Sequence, residues 1–343
     1  MTSPSELRKD AVSGRWVIIA SDRSKRPDDF RPAKTAERPR VSSAFCPFCA
    51  GNEAKTPPQI FALAGPDDGS GRAPWRVRVV PNKFPAVSRG DAPARTKSGL
   101  FESMPGIGVH EVVIESPDHD REMADLPTDH IRDILTTYQA RLQSLETEPQ
   151  YAYVQLFKNK GMDAGASLSH PHTQIVALPI IPKRVKEEIY NSDRFFRKTG
   201  ECLFCRALAE ELGAGERIVL KNEHFAAFEP FASRFPFETR IFPLRHAPHF
   251  SGARPEELAA LAETLSAVLS KLKALLGDPS YNLVLHQSPH PARARRHWPE
   301  IERIAHWYLE IIPVLTHVAG FEWGTGFYIN PVVPESAAKF LRE

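Results

Sequence analysis

His170-Pro171-His172-Thr173-Gln174 near the middle of the chain and His306-Trp307-Tyr308-Leu309-Glu310 near its end are two versions of one segment. Outward from either, the same parts occur in the same order. Before the first come Cys46-Pro-Phe-Cys49, a strand-like Trp75-Arg-Val-Arg-Val-Val80, Glu111-Val-Val-Ile-Glu115 and Pro117-Asp-His119. Before the second come Cys202-Leu-Phe-Cys205, Phe225-Ala-Ala-Phe228, Thr239-Arg-Ile-Phe242 and Pro243-Leu-Arg-His246. In each copy an amphipathic run begins twelve residues after the last histidine, at Ile131 and at Leu258. Ile131, Ile134, Leu135, Tyr138, Leu142 and Leu145 repeat at helical spacing, as do Leu258, Leu261, Leu265, Val268, Leu269, Leu272 and Leu276. Pro255 suits a first helical turn and Gly277 a helix stop. Each helix leads into a β-rich run, Tyr151-Ala-Tyr-Val-Gln-Leu-Phe157 or Tyr281-Asn-Leu-Val-Leu285, and from there to the histidine segment. The repetition predicts an α+β chain of two duplicated units, residues 1–185 and 186–343, each a mostly antiparallel sheet backed by a helix.

Alternate residues of a strand share a face, so His170, His172 and Gln174 present two imidazoles and an amide together. A Gly/Ser loop, Gly161-Met-Asp-Ala-Gly165-Ala-Ser167, precedes them and supplies backbone N–H groups and a hydroxyl suited to phosphate oxygens. A neutral imidazole at His172 is a nucleophile toward phosphorus, and its phosphorylated form is reactive enough to pass the group on. Pro171 stiffens the segment, and the second ring nitrogen needs an acceptor such as a nearby carbonyl. Gln174 can donate to a phosphoryl oxygen but cannot act as an acid, which suits a leaving group that is itself a phosphate. The bland alternative is a pair of histidines that bind a metal or lie on the surface. Tyr308 stands where the first copy has His172, so the second unit is expected to be catalytically silent.

With 343 residues the chain is long enough for a sizeable core, and a net charge of +2 calls for neither nucleic acid nor a membrane surface. No apolar run approaches ~20 residues and the start has no signal-peptide core, so a cytoplasmic protein is expected. All four cysteines lie in the two C-x-x-C pairs. In a reducing compartment that spacing favours zinc over a disulfide, with a thioredoxin-like redox pair as the rival. The repeat groups the ligands into Cys46, Cys49, His119 and His170, and Cys202, Cys205, His246 and His306. Four N/S ligands close a structural zinc site. The first site would anchor the strand carrying His172 without touching substrate. His110 and His249 are competitors for His119 and His246, outside the repeated positions. His130, His224, His286, His290, His297 and His317 follow no such pattern, and the basic run Ser288-Pro-His-Pro-Ala-Arg-Ala-Arg-Arg-His297 reads as a solvated insertion or a phosphate contact.

From about Lys9 to Leu341 the chain resembles the galactose-1-phosphate uridylyltransferase family, a transferase branch of the histidine-triad superfamily. The resemblance is carried by Cys46-Pro-Phe-Cys49, Pro81-Asn82-Lys-Phe, Ser116-Pro-Asp-His119, Phe157-Lys-Asn159-Lys-Gly161, the Gly/Ser loop and His170-Pro-His-Thr-Gln174. It makes the two units histidine-triad-like, and an H-P-H-x-Q element separates transferases from hydrolases of the superfamily, which have a third histidine. It implies that His172 becomes nucleotidylated and that Gln174 steadies the intermediate. Ser167 and Asn159 would hold phosphates, with Asn82 near the nucleoside. Arg23 and Arg26 match a basic element near the substrate phosphates, or are an ordinary exposed turn. Glu322 matches an acidic hexose contact, and Tyr328 replaces a hexose-contacting Gln. Many members close their second metal site with a carboxylate, near whose position Glu188 stands, whereas Cys202 and Cys205 favour a second knuckle here. A homodimer whose sites draw on both chains is also implied.

These readings converge on transfer of a uridylyl group between UDP-glucose and galactose 1-phosphate through a covalent nucleotidyl-histidine. A nucleotide sugar and a sugar 1-phosphate would then be its partners. The Gly324-Thr-Gly326 stretch is shared with ADP-glucose phosphorylases, so adenylyl transfer to phosphate is the nearest rival. A nucleotide hydrolase is disfavoured by Gln174. A non-catalytic zinc-knuckle protein that binds nucleic acid is disfavoured by the near-neutral charge.

Overall fold

The computed structural model describes residues 5–20, 26–30, 45–65, 75–91 and 94–343. The first half contributes β1 (Glu6–Lys9), β2 (Trp16–Ile19), β3 (Phe61–Ala64), β4 (Trp75–Pro81), β5 (Thr96–Ser98), β6 (Phe101–Ser103), β7 (Val109–Ile114), α1 (Thr128–Glu146), β8 (Tyr153–Lys160) and β9 (His172–Leu178). The second opens with α2 (Lys183–Thr199), α3 (Leu203–Ala214), β10 (Ile218–Lys221), β11 (Phe225–Phe228), β12 (Thr239–Pro243) and α4 (Pro255–Leu276). It continues through β13 (Tyr281–His286), α5 (Pro291–Ala294), α6 (Ile301–Ile304), β14 (Tyr308–Pro313), α7 (Gly320–Thr325), β15 (Tyr328–Asn330) and α8 (Pro334–Arg342). The predicted strands and both predicted helices are present, their ends moved by a few residues. Helix α4 begins at Pro255 and stops at Gly277, whose φ of +73° lets its N–H reach the Lys273 carbonyl.

Among the described residues ten strands form one sheet in the order β3-β4-β7-β9-β8-β13-β14-β12-β11-β10, every neighbouring pair antiparallel. Read outward from the β8–β13 seam, both sides repeat one pattern, which makes β8 and β13, β9 and β14, and β7 and β12 equivalents. The two units are therefore not two sheets, as the repeat alone suggested. They fuse where Leu156 pairs with Leu285 and Lys160 with Tyr281, so neither unit leaves β8 or β13 as a bare edge. The boundary expected at 185/186 falls inside α2.

The alternation of the strands decides the layers. Val77, Val79, Val113, Leu156, Ile175, Leu283, Leu309 and Ile311 point to one face, where they are buried with the apolar stripes of α1 and α4. Both helices back the same side of the sheet. The opposite face carries the histidine segments and is partly covered by α2 and α3. Leu203, Phe204 and Leu208 of α3 pack on Phe228, Phe242 and Tyr308, while Val185 and Ile189 of α2 pack on Trp298, Ile301 and Ile304. Neither helix was anticipated from the sequence: α2 shows only a few apolar residues among many charges, and α3 is a short run of twelve residues. The basic run at 288–297 is folded back on the first unit: His290 Nε2 donates to the Glu146 carbonyl and Arg293 to that of Pro149. Near the termini β15 pairs in parallel with β2, making a small sheet with β1. Among the described residues no helix is long and apolar enough to cross a membrane.

Candidate active site and metal centres

His172 is the first residue of β9. Its Nδ1 lies 2.8 Å from the carbonyl oxygen of His170, which can only accept, so Nδ1 carries the hydrogen and Nε2 keeps a lone pair. Burial lowers its pKa, which favours the neutral ring. Phe48 packs its ring against the imidazole, with centroids 5.4 Å apart. Across the strands Ile114 faces His172 and Phe157 faces Gln174, and the same register carried on two residues sets Asn159 opposite His172. On the other face of β9, Thr173 donates to the buried Glu115 carboxylate (2.6 Å), which also accepts from Lys158 (2.7 Å) and Tyr138 (3.0 Å). Burial opposes ionisation of Glu115, yet Lys158 and the donors around it keep its pKa below the usual carboxylate value. This fully bonded cluster holds β9 in register against its neighbours.

A cleft of about 180 Å³ opens beside His172. Phe48, Pro57, Val80, Val112 and Leu168 give it apolar walls, and Asn82, Ser167, His172 and Gln174 give it polar groups. Four sequence-predicted residues thus meet at one place. Gly161 has φ +85°, and a Cβ there would come within 2.2 Å of Ser280 Oγ. Gly165 has φ +90°, so the loop takes a path that side chains at either position would strain. Asn159 Oδ1 accepts from Asn282 Nδ2 on the neighbouring strand at 2.9 Å. Arg23 lies outside the described residues. Arg26 is exposed, its backbone N–H bonded to Asp29. Glu322 accepts from the Ala319 N–H at the start of α7, and Tyr328 on β15 packs on Phe235. Neither Arg26, Glu322 nor Tyr328 lines the cleft. Sequence reading missed Phe48 and Pro57 as walls and treated His110 only as a spare ligand. His110 contacts Gln174 and Asn82, a proximity that depends on strand register and has no local signal.

Cys46, Cys49, His119 and His170 place one donor atom each within 4.8 Å of one another, and Cys202, Cys205, His246 and His306 do the same. His170 Nε2 donates to the Ser116 carbonyl (2.8 Å), which leaves Nδ1 facing both sulfurs at 3.7 and 3.6 Å. His119 Nδ1 is 3.2 Å from Cys49 Sγ, and His246 Nδ1 is 3.2 Å from Cys205 Sγ. His246 Nε2 donates to the Glu302 carbonyl, repeating the outer contact of His170. Burial and the neighbouring Cys46 push the Cys49 thiol up to about 12, while burial pushes His170 down to about 4. Two sulfurs beside two imidazole nitrogens are a donor set that a divalent cation completes, since it deprotonates the sulfurs and meets the Nδ1 atoms. Cys202 and Cys205 open α3, as a redox pair would, but they follow a helix end at Gly200 and face two histidines. His249 is not in the second cluster, and Glu188 is instead paired with Arg184 at 3.1 Å.

In the second unit the equivalents of His172 and Gln174 are sealed. Tyr308 is stacked between His286 and Phe242, at centroid distances of 4.3 and 4.6 Å. Glu310, which matches Gln174, is completely buried and contacts Arg184 (3.2 Å), Arg234 (2.8 Å), Arg240 (3.2 Å) and His286 (3.1 Å). Burial opposes its ionisation, but Arg234 and Arg184 hold the carboxylate well below the usual range. Where the first unit has an open cleft beside Gln174, the second has a buried carboxylate enclosed by arginines.

Galactose-1-phosphate uridyl transferase N-terminal and C-terminal domain models match residues 2–182 and 187–342. The chain is 38% identical over 340 residues to an ADP-glucose phosphorylase of Arabidopsis thaliana, covering 98% of this chain and 92% of that one. It is 30% identical to a galactose-1-phosphate uridylyltransferase of Thermotoga maritima, covering 98% of each. A crystal structure of an Arabidopsis ADP-glucose phosphorylase with bound ADP-glucose superposes with a TM-score of 0.79 at 34% identity, covering 99% of both chains.

Proposed function

We propose, for a chain that belongs to the galactose-1-phosphate uridyl transferase family, nucleotidyl transfer from a nucleoside diphosphate hexose through a covalent nucleotidyl-His172. The observation that carries this reading is the His172 ring itself: its Nδ1–H is held by the His170 carbonyl, and its Nε2 is left as the free nitrogen at the wall of the cleft. Nε2 attacks the α-phosphorus and the bond to the hexose 1-phosphate breaks, with the electron pair leaving on that oxygen. A phosphate oxygen of the acceptor then attacks the same phosphorus and His172 departs. Neither leaving group needs a proton, which is why an amide at Gln174 suffices where other chemistry needs an acid. Ser167, the glycines of its loop and Asn159 hold phosphate oxygens, and Asn82 lies toward the nucleoside. The Cys/His sets would hold zinc, which is structural: the first set fixes His170 and thereby the carbonyl that orients His172. Glu322, Tyr328 and Arg26 are not among the residues lining their own chain's cleft, which fits a homodimer that completes each site from a second copy.

Two donors meet this chemistry. Uridylyl transfer from UDP-glucose to galactose 1-phosphate follows from the family name. The second reading, adenylyl transfer from ADP-glucose to inorganic phosphate, is favoured by the greater identity to the Arabidopsis phosphorylase. Intact-mass spectrometry of the protein after incubation with each donor is expected to reveal one nucleoside monophosphate per chain, acid-labile and absent from His172→Ala. The mass of the adduct identifies the base. No adduct from either donor would overturn the mechanism.

A further inference from the structure

His110 lies on β7 diagonal to Gln174: Val112 is directly opposite Gln174, and Val176 opposite His110. Its ring is engaged at both nitrogens. Nδ1 is 3.1 Å from the backbone nitrogen of Ala86, and a backbone N–H only donates, so Nδ1 carries a lone pair. In the neutral ring the hydrogen is then on Nε2, which lies 2.9 Å from Gln174 Oε1. The ring therefore donates to the amide oxygen, and the NH₂ end of Gln174 becomes the donor it offers in the cleft. Asn82 meets the same ring nitrogen. Its Oδ1 accepts the Phe84 N–H at 2.9 Å, so Nδ2 is the atom 3.0 Å from His110 Nε2. Two donors face each other there, and Asn82 gains no acceptor from the ring. Two amide NH₂ groups thus line the cleft with His172, and among the described residues neither has an acceptor oxygen.

We infer that His110 is a positioning residue for the transfer: by donating to Gln174 Oε1 it fixes the amide with its NH₂ end toward the non-bridging oxygens of the transferred phosphoryl group. The inference rests on the covalent reading of His172. As the P–N bond forms and the P–O bond to the sugar phosphate breaks, those oxygens need a donor that keeps its proton in both steps. An amide turned by 180° would present its carbonyl to them instead.

The test is the single-turnover rate of nucleotidylation, followed by quenched-flow intact mass on the full chain with saturating ADP-glucose or UDP-glucose. His110→Gln keeps an amide donor close to the position of Nε2, whereas His110→Glu, of the same size, presents an acceptor that releases or turns Gln174. His110→Glu is expected to react roughly tenfold to a hundredfold more slowly than the unaltered protein, and His110→Gln within about threefold of it. In a Gln174→Ala background the two variants should react alike, because the amide they orient is gone. Equal rates for both with Gln174 present, or a difference that survives Gln174→Ala, would overturn the inference. If His110→Glu does not fold, His110→Leu makes the same comparison without the charge. Failure of the unaltered protein to form any adduct would overturn the His172 reading and this inference with it. An adduct formed equally fast by all variants would overturn this inference alone.

Discussion

Burial sets the charge of several histidines in this chain, and His249 shows the effect apart from any reacting atom. Among the described residues neither ring nitrogen has a hydrogen-bond partner, and Nδ1 is 3.7 Å from a Glu146 oxygen. Burial, with His290 nearby, pushes its pKa down to about 4 from an ordinary 6.5. As pH falls, the unfolded chain takes up the proton first, so stability present above about pH 6.5 is lost progressively toward pH 4, by at most about 1.4 kcal/mol per unit. His130 and His286, also lowered by burial, add to the total slope. Thermal melts between pH 7.5 and 5 should therefore fall less steeply for His249→Asn than for the unaltered protein; parallel curves would show that His249 titrates normally. The candidacy of His172 and Gln174 was legible because alternation along one strand is local. That of His110 was not, because its partners come from the pairing of β7 with β9 and from the turn at Asn82.

The two knuckles are the elements that tie loops to strands. In the first, the Cys46–Cys49 turn meets His170 two residues before His172; in the second, the start of α3 meets His306 two residues before Tyr308. Cys46→Ser is expected to lower zinc from about two ions per chain to about one, to reduce the melting temperature and to slow formation of the His172 adduct. Cys202→Ser should remove the other ion and weaken the packing of α3 on Phe228, Phe242 and Tyr308. Elemental analysis beside the melts checks both, and metal content unchanged by either substitution would rule out these ligand sets. C-x-x-C spacing and the repeat made the knuckles visible in the sequence. Helices α2 and α3 escaped notice because their short apolar stripes have meaning only against the sheet face they cover.

At the scale of the whole molecule, the β8–β13 seam turns two similar units into one ten-stranded layer with α1 and α4 side by side on its back. Leu156, Leu283, Leu285 and Ile175 belong to one core that crosses the seam. Such a core should unfold in a single transition by calorimetry, with the calorimetric and van't Hoff enthalpies close to equal. Two resolved transitions would mean that the halves melt as separate domains. Leu285→Ala, which cuts into the seam, should destabilise that one transition by about 2–5 kcal/mol.

The sequence by itself determined what periodicity and spacing can carry: the duplicated order of parts, the strands and two backing helices, the eight metal-ligand candidates, and an imidazole and an amide alternating on one strand. Those are properties of neighbours along the chain. The tertiary structure decided that the two units share one sheet, that His110 meets Gln174, that Glu310 lies among arginines in the sealed second unit, and that Arg26, Glu322 and Tyr328 stay out of their own chain's cleft. Each of these depends on which strands pair and in what register, a choice made by the summed burial of many distant side chains and written in no short segment.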